Sequence, residues 1–146
     1  MQYSVGSVGR VFMARADHGA NVLAEIKNLA VKEGIRTAVV FLVGALEKAS
    51  LVTGPKECTL PPEPNWSRFS DGRELLGLGT IISKDDEPLV HLHGSAGKDE
   101  HTLTGCVREE AFTYLVTEVV ILEVTGTAAV RRYMAEFGLN ILDFTE

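Results

Sequence analysis

Three of the four histidines, His91, His93 and His101, fall within eleven residues of one another. In an extended chain, residues two apart point to the same face. His91-Leu92-His93 therefore turns both imidazoles one way and Leu92 the other. Gly94 and Gly97 follow and can reverse the chain. A hairpin centred near Gly97 sets His101 directly opposite His93, with Cβ atoms about 5 Å apart. Three imidazoles would then converge on one point. That arrangement suits a divalent transition metal with a fourth position open to water or another ligand. Imidazole nitrogen fits zinc first, and also copper, nickel or iron. An ion held this way brings the pKa of bound water to about 7, as hydrolysis or hydration requires. Glu74 or Glu118 could serve as the general base. The plainer alternatives are a polar strand face of hydrogen-bonded histidines, and two carboxylates that pair with arginine or with solvent. Cys106 lies an odd number of residues from His101 and in a regular strand faces away from it.

The remaining polar residues form weaker patterns. His18 precedes Gly19 at a turn and reads as exposed. Gly6, Gly9 and Gly19 form neither a dinucleotide fingerprint nor a phosphate loop. Asp85-Asp86-Glu87 reads as a solvated turn, since it lacks the glycine-bearing pattern of a calcium loop. No serine sits in a Gly-x-Ser-x-Gly turn. Arg131-Arg132 is a lone basic pair, too little for a nucleic-acid stripe. Arg68 and Arg73 flank a proline-rich stretch, where they could hold an anion or form surface salt bridges. Trp66, the only tryptophan, reads as a binding-loop residue or as the anchor of that loop.

The 146 residues carry 14 Lys and Arg against 20 Asp and Glu, a net charge of −6, which offers no overall pull toward phosphate. The length fits one domain over residues 1–146, with apolar content ample for a core. Cys58 and Cys106 are far apart and in no CxxC motif, as expected of reduced thiols. The start, Met1-Gln2-Tyr3-Ser4, lacks a signal-peptide layout, and no apolar run approaches the ~20 residues of a membrane span. The expected location is the cytoplasm, with no membrane partner.

The elements that must position the histidines follow from periodicity. Tyr3 to Ala16 alternates as a strand. Val22, Leu23, Ile26, Leu29 and Ala30 share one helical face, which predicts a helix over Asn21 to Glu33 ended by Gly34. Arg36 to Val43 is a nearly continuous apolar strand. Gly44 interrupts it, and Glu47 to Thr53 reads as another. Gly54 to Gly72, with Pro55, Pro61, Pro62 and Pro64, reads as an excursion. Glu74 to Ser83 and Pro88 to Gly94 are strands joined by a polar turn, and Thr102 to Arg108 returns the histidine hairpin. Thr113 to Val124 is the longest apolar strand, with one face left for the sheet or a neighbouring subunit to cover. A short helix is expected over Thr127 to Glu136. These elements give an α+β domain, a largely antiparallel mixed sheet with two flanking helices.

Several blocks occur in a recognisable order: Val8-Gly9-Arg10-Val11-Phe12, Gly44-Ala45-Leu46, Glu74-Leu75-Leu76 before Gly79-Thr80-Ile81, and Pro88 through His93. His101 with Leu103, Gly105, Cys106 and Val107 comes next, then Thr117 through Ile121. In these blocks the whole chain resembles the PPC domain, shared by plants and prokaryotes. The resemblance implies an antiparallel sheet, assembly as a homotrimer, and a metal site at His91, His93 and His101. It also implies DNA binding, the label carried by prokaryotic members. The chain departs from the family in having Asp99-Glu100 where two glycines usually precede the third histidine. It has no Arg-Gly-Arg-Pro core, so the minor-groove arm of plant members is not inherited. Three functions follow: a metal-binding regulatory or ligand-binding trimer, a DNA-binding protein, or a metal-dependent hydrolase.

Overall fold

The helix forms where its apolar spacing predicts. The computed structural model describes residues 1–145, and α1 runs Val22–Glu33. Asn21 caps it, accepting from the Leu23 N–H, and Gly34 closes it in the left-handed region at φ 66°. Val22, Ile26 and Ala30 are its buried stripe.

The remaining elements are strands: β1 (Ser7–Asp17), β2 (Thr37–Pro55), β3 (Pro64–Phe69), β4 (Arg73–Lys84), β5 (Glu87–Lys98), β6 (His101–Thr125), β7 (Ala129–Met134) and β8 (Leu139–Phe144). Six make one antiparallel sheet in the order β1-β6-β5-β4-β2-β3, and β6 pairs with β2 as well. The pairings β2–β4, β4–β5, β5–β6 and β6–β2 therefore run round into a closed circuit. β7 and β8 form a separate two-stranded ribbon.

Three expectations change. The pair of strands expected on either side of Gly44 is one 19-residue strand, and the two expected over Thr102–Arg108 and Thr113–Val124 are one 25-residue strand. The breaks in the sequence pattern are bulges rather than loops. Register shifts separate Arg108 from Ala111 and Tyr114 from Thr117, with Glu109 (φ 56°) and Leu115 (φ 58°) in the left-handed region. The proline-rich excursion contains a strand, β3, on the sheet edge beside β2. Only one flanking helix exists among the described residues, because the segment expected to be helical over Thr127–Glu136 is β7. Val130 and Tyr133 favour extended chain, and a helix this short gains little on its own. Gly138 (φ 64°) turns β7 back onto β8 instead.

The core lies on one face of the sheet under α1, where Ile26 and Ala30 join Val40, Leu42, Leu46, Ile81, Leu92 and Ile121. The other face is different. Directly paired residues share a face, which places Met13, Val120, Phe41, Leu78, His93 and Cys106 in one row across five strands. Met13, Phe41 and Leu78 of that row are exposed, as are neighbouring Val11, Val43 and Leu76. No helix is long and apolar enough to cross a membrane.

The start of α1 is fastened to the first bulge of β6. Asn21 Nδ2 donates to the Glu109 carbonyl at 3.0 Å while Oδ1 caps the helix at 3.1 Å. Asn21→Ala removes both bonds and should cost about 2 kcal/mol in urea unfolding, the upper end of cap losses. Asn21→Asp keeps the cap and should recover about half of that.

Candidate metal centre

His91 and His93 stand on β5 as the alternation predicts, with Leu92 in the core on the opposite face. Their rings meet edge to face with centroids 5.0 Å apart, and the two Nε2 atoms are 3.2 Å apart. Nitrogens each about 2.0–2.1 Å from one tetrahedral zinc stand roughly 3.3 Å apart, so this spacing fits a shared ion.

The third residue is not the expected one. The hairpin turns at Asp99-Glu100, with Asp99 in the left-handed region at φ 52°, so Lys98 pairs with His101 and Gly97 lies within the strand opposite Thr102. A turn centred on one residue pairs odd positions with odd. A two-residue turn pairs odd with even, and every partner on the returning strand changes face. His101 thus lies on the opposite face from His93 and about 16 Å along the strand. Cys106 takes the place opposite His93. One donor atom each from His91, His93 and Cys106 lie within 4.8 Å of one another. The expectation that Cys106 faces away from the cluster therefore fails for the same reason.

The cluster has a cationic border. Arg131, reaching over from β7, donates through Nη2 to Thr80 Oγ1 at 3.1 Å and approaches His91 Nδ1 at 3.4 Å. Guanidinium only donates, so Nδ1 accepts, and the proton of the neutral His91 ring sits on Nε2 toward His93. Partial burial, then the charges of Arg131, His93 and Arg108, lower the His91 pKa to about 4. His91 is thus neutral at pH 7, the state in which imidazole ligates. Cys106 is buried, which raises its thiol pKa, while Arg108 and Arg131 pull it down.

The other candidates lie elsewhere. Neither Glu74 nor Glu118 belongs to the cluster. Glu74 lines a hollow of about 930 Å³ with His18, Glu47, Asp71, Arg73 and Lys98. There Arg73 pairs with Asp71, and Lys98 donates to the Asp71 carbonyl. His18 is exposed at its turn and accepts from the Leu115 N–H at 3.2 Å. Trp66 is 40% exposed on β3 with Arg68 over its ring, so it does not anchor a loop by burial. The one sequence signal for the true register was the polar run Lys98-Asp99-Glu100-His101, a second turn candidate beside Gly97.

Residues 3–125 match the family model of the Plants and Prokaryotes Conserved (PCC) domain. The chain belongs to that family. Solved structures agree along the whole chain. A plant- and prokaryote-conserved protein of Pyrococcus horikoshii is 28% identical with a TM-score of 0.86, covering 100% of this chain and 99% of its own. A metal-containing protein of Archaeoglobus fulgidus is 24% identical, also at 0.86, with both chains covered in full. A candidate DNA-binding protein of Bacteroides thetaiotaomicron is 21% identical at 0.80, covering 95% of this chain and 97% of its own. No curated protein matches the sequence.

Close backbone approach seats the PCC cluster. A Cβ at Gly105 would run into the Val52 carbonyl oxygen, whereas one at Gly97 meets nothing nearer than Thr102 Oγ1 at 3.4 Å. Gly105→Ala should therefore destabilise the protein by about 1–3 kcal/mol through strain between β6 and β2. Gly97→Ala should stay within about 0.5 kcal/mol of the parent. Denaturant midpoints of the two variants check this.

Proposed function

We propose that this PCC protein is a metal-binding module in which His91, His93 and Cys106 hold a divalent transition metal, zinc by the chemistry of the set. Two neutral imidazoles and a thiolate are zinc ligands of the ordinary kind, and three protein ligands leave one position open. The observation that carries the reading is the 3.2 Å approach of the two Nε2 atoms with Cys106 directly paired to His93 on the adjoining strand. That a protein of the same fold is metal-containing supports it. When bound, the ion supplies a Lewis-acid position for an exchangeable ligand. With Glu74 and Glu118 both outside the cluster, we read the module as holding a ligand in a regulatory role rather than turning one over. His101, on the other face, has no part in it. A thiol ligand suits the reducing cytoplasm.

We propose further that the module is a homotrimer whose copies cover the exposed face carrying Met13, Phe41, Val43, Leu76 and Leu78. An apolar face of this extent on an otherwise charged surface marks an association site. The family resemblance supplies the number of copies. DNA binding, the function named for some relatives, draws no help from the net charge of −6.

Zinc titration of chelator-treated protein should give one equivalent per chain. His93→Ala and Cys106→Ser should each weaken binding by at least ~100-fold, beyond the usual loss from an outer-shell change. His101→Ala should leave it unchanged. Less than a tenth of an equivalent, or a Cys106→Ser variant that binds as the parent does, would overturn the reading.

Light scattering on a sizing column tests the assembly separately. The parent should elute as three chains and Leu78→Asp as one. A monomeric parent would reject the trimer.

A further inference from the structure

Seven of the chain's basic residues sit in ion pairs: Arg10, Arg15, Lys27, Arg36, Lys56, Arg73 and Arg132. Arg68, Arg108 and Arg131 have no carboxylate partner among the described residues; Arg108 and Arg131 border the cluster, and Arg68 stands beyond Arg108 on β3. Arg108 follows Cys106 by two residues on the same face. The β5–β6 ladder ends at His93 and Cys106, and the same register carried two residues further would set Arg108 opposite His91. Arg108 pairs with Ser50, and Ser50 pairs with Arg68. Arg68 Nε donates to the buried Ser50 Oγ at 3.2 Å. Among the described residues, no acidic side chain pairs with any of these three guanidiniums.

Arg131 bears the largest cost. Burial penalises its charge, and its two acceptors, Thr80 Oγ1 and His91 Nδ1, are both neutral and both served by Nη2. Nη1 and Nε find no acceptor among the described residues. A partly desolvated guanidinium without a counter-charge is unfavourable, and its planar fork matches a carboxylate or phosphate.

We propose that Arg131 and Arg108 form a binding site for a small oxyanion, a carboxylate or phosphate group, held against the His91–His93–Cys106 cluster. The arginine geometry carries this site by itself. Its coupling to zinc rests on the metal reading above. When His91 ligates through Nε2, its ring proton moves to Nδ1, facing the Arg131 donor at 3.4 Å. Two donors then confront each other, and an oxyanion that accepts from both relieves the conflict. Metal-bound histidines commonly give their second N–H to such an acceptor. Zinc and the anion should therefore strengthen each other's binding by the same factor.

The test is calorimetric titration of the full chain, chelator-treated and zinc-loaded, with inorganic phosphate and with acetate at low ionic strength. At least one of the two should bind saturably at one per chain, and at least tenfold more tightly with zinc loaded. Arg131→Gln should weaken binding at least tenfold. Arg131→Lys, which keeps the charge without the fork, should fall between. Arg132→Gln, at an exposed neighbour already paired with Asp143, should bind as the parent does. Arg108→Gln, at an exposed position, should also weaken binding and serves if Arg131→Gln does not fold.

Absence of saturable binding by either anion would overturn the site, as would equal losses in Arg131→Gln and Arg132→Gln. Binding of a short DNA duplex with steep salt dependence, when neither small anion binds, would overturn it in favour of nucleic acid. Zinc binding is measured on the same samples. Zinc without anion defeats the oxyanion site alone, and anion without zinc defeats the metal reading alone.

Discussion

The fold depends on one strand bending twice. β6 pairs with β5 through its first six residues, with β2 along most of its length, and with β1 over its last ten. A regular 25-residue strand would run past all of these partners in a straight line. Two bulges, with Glu109 and Leu115 held at positive φ, break it into three segments that all follow β2, the first also meeting β5 and the last also meeting β1. Left-handed backbone is uncomfortable for both residues and persists because the pairing on either side fixes it. The bend between Arg108 and Ala111 also supports the start of α1, through Asn21 on the Glu109 carbonyl and the bridge from Asn21 to Phe112. The helix that covers the core and the turn that closes the sheet therefore share one fastening.

Closure gives the two faces different work. The inner face fills with Val40, Leu42, Ile81, Leu92 and Ile121 and excludes water. On the outer face, the row that begins with exposed methionine and phenylalanine on β1 and β2 ends with His93 and Cys106. The apolar surface and the polar cluster are one continuous surface. The β7–β8 ribbon covers only the part of it next to Thr80, and from there Arg131 reaches the cluster.

Much of this was legible in residue types. The stripe Val22, Ile26, Ala30 with Asn21 before it and Gly34 after it specifies a helix and both its ends. The alternation at His91-Leu92-His93 fixes two imidazoles on one face whatever surrounds them, because it needs only an extended backbone. Long-range register was not legible. It turns on whether the hairpin reverses at Gly97 or at Asp99-Glu100, and glycine is the stronger local signal. A shift that changes odd pairing to even exchanges His101 for Cys106. The segment after Gly126 misled for a different reason. Val130 and Tyr133 lean toward extended chain among neighbours that do not, and the segment's structure is completed by pairing with Leu139–Phe144, a tertiary effect that propensity does not contain.

The exchange of a histidine for a cysteine changes the electrostatics of the cluster. Three neutral imidazoles would leave a bound dication its whole charge. One thiolate with two imidazoles leaves a single positive charge, still beside the guanidiniums of Arg108 and Arg131. Burial opposes ionisation of Cys106, and the two arginines favour it, so the same side chains that make a thiolate attainable also leave the loaded cluster cationic. In a chain of net charge −6, where most other arginines have carboxylate partners, such a concentration of unpaired positive charge calls for a compensating anion. Screening by water is weaker there than at the open surface. The cysteine, the arginines and a small anionic ligand are thus mutually consistent requirements of one site.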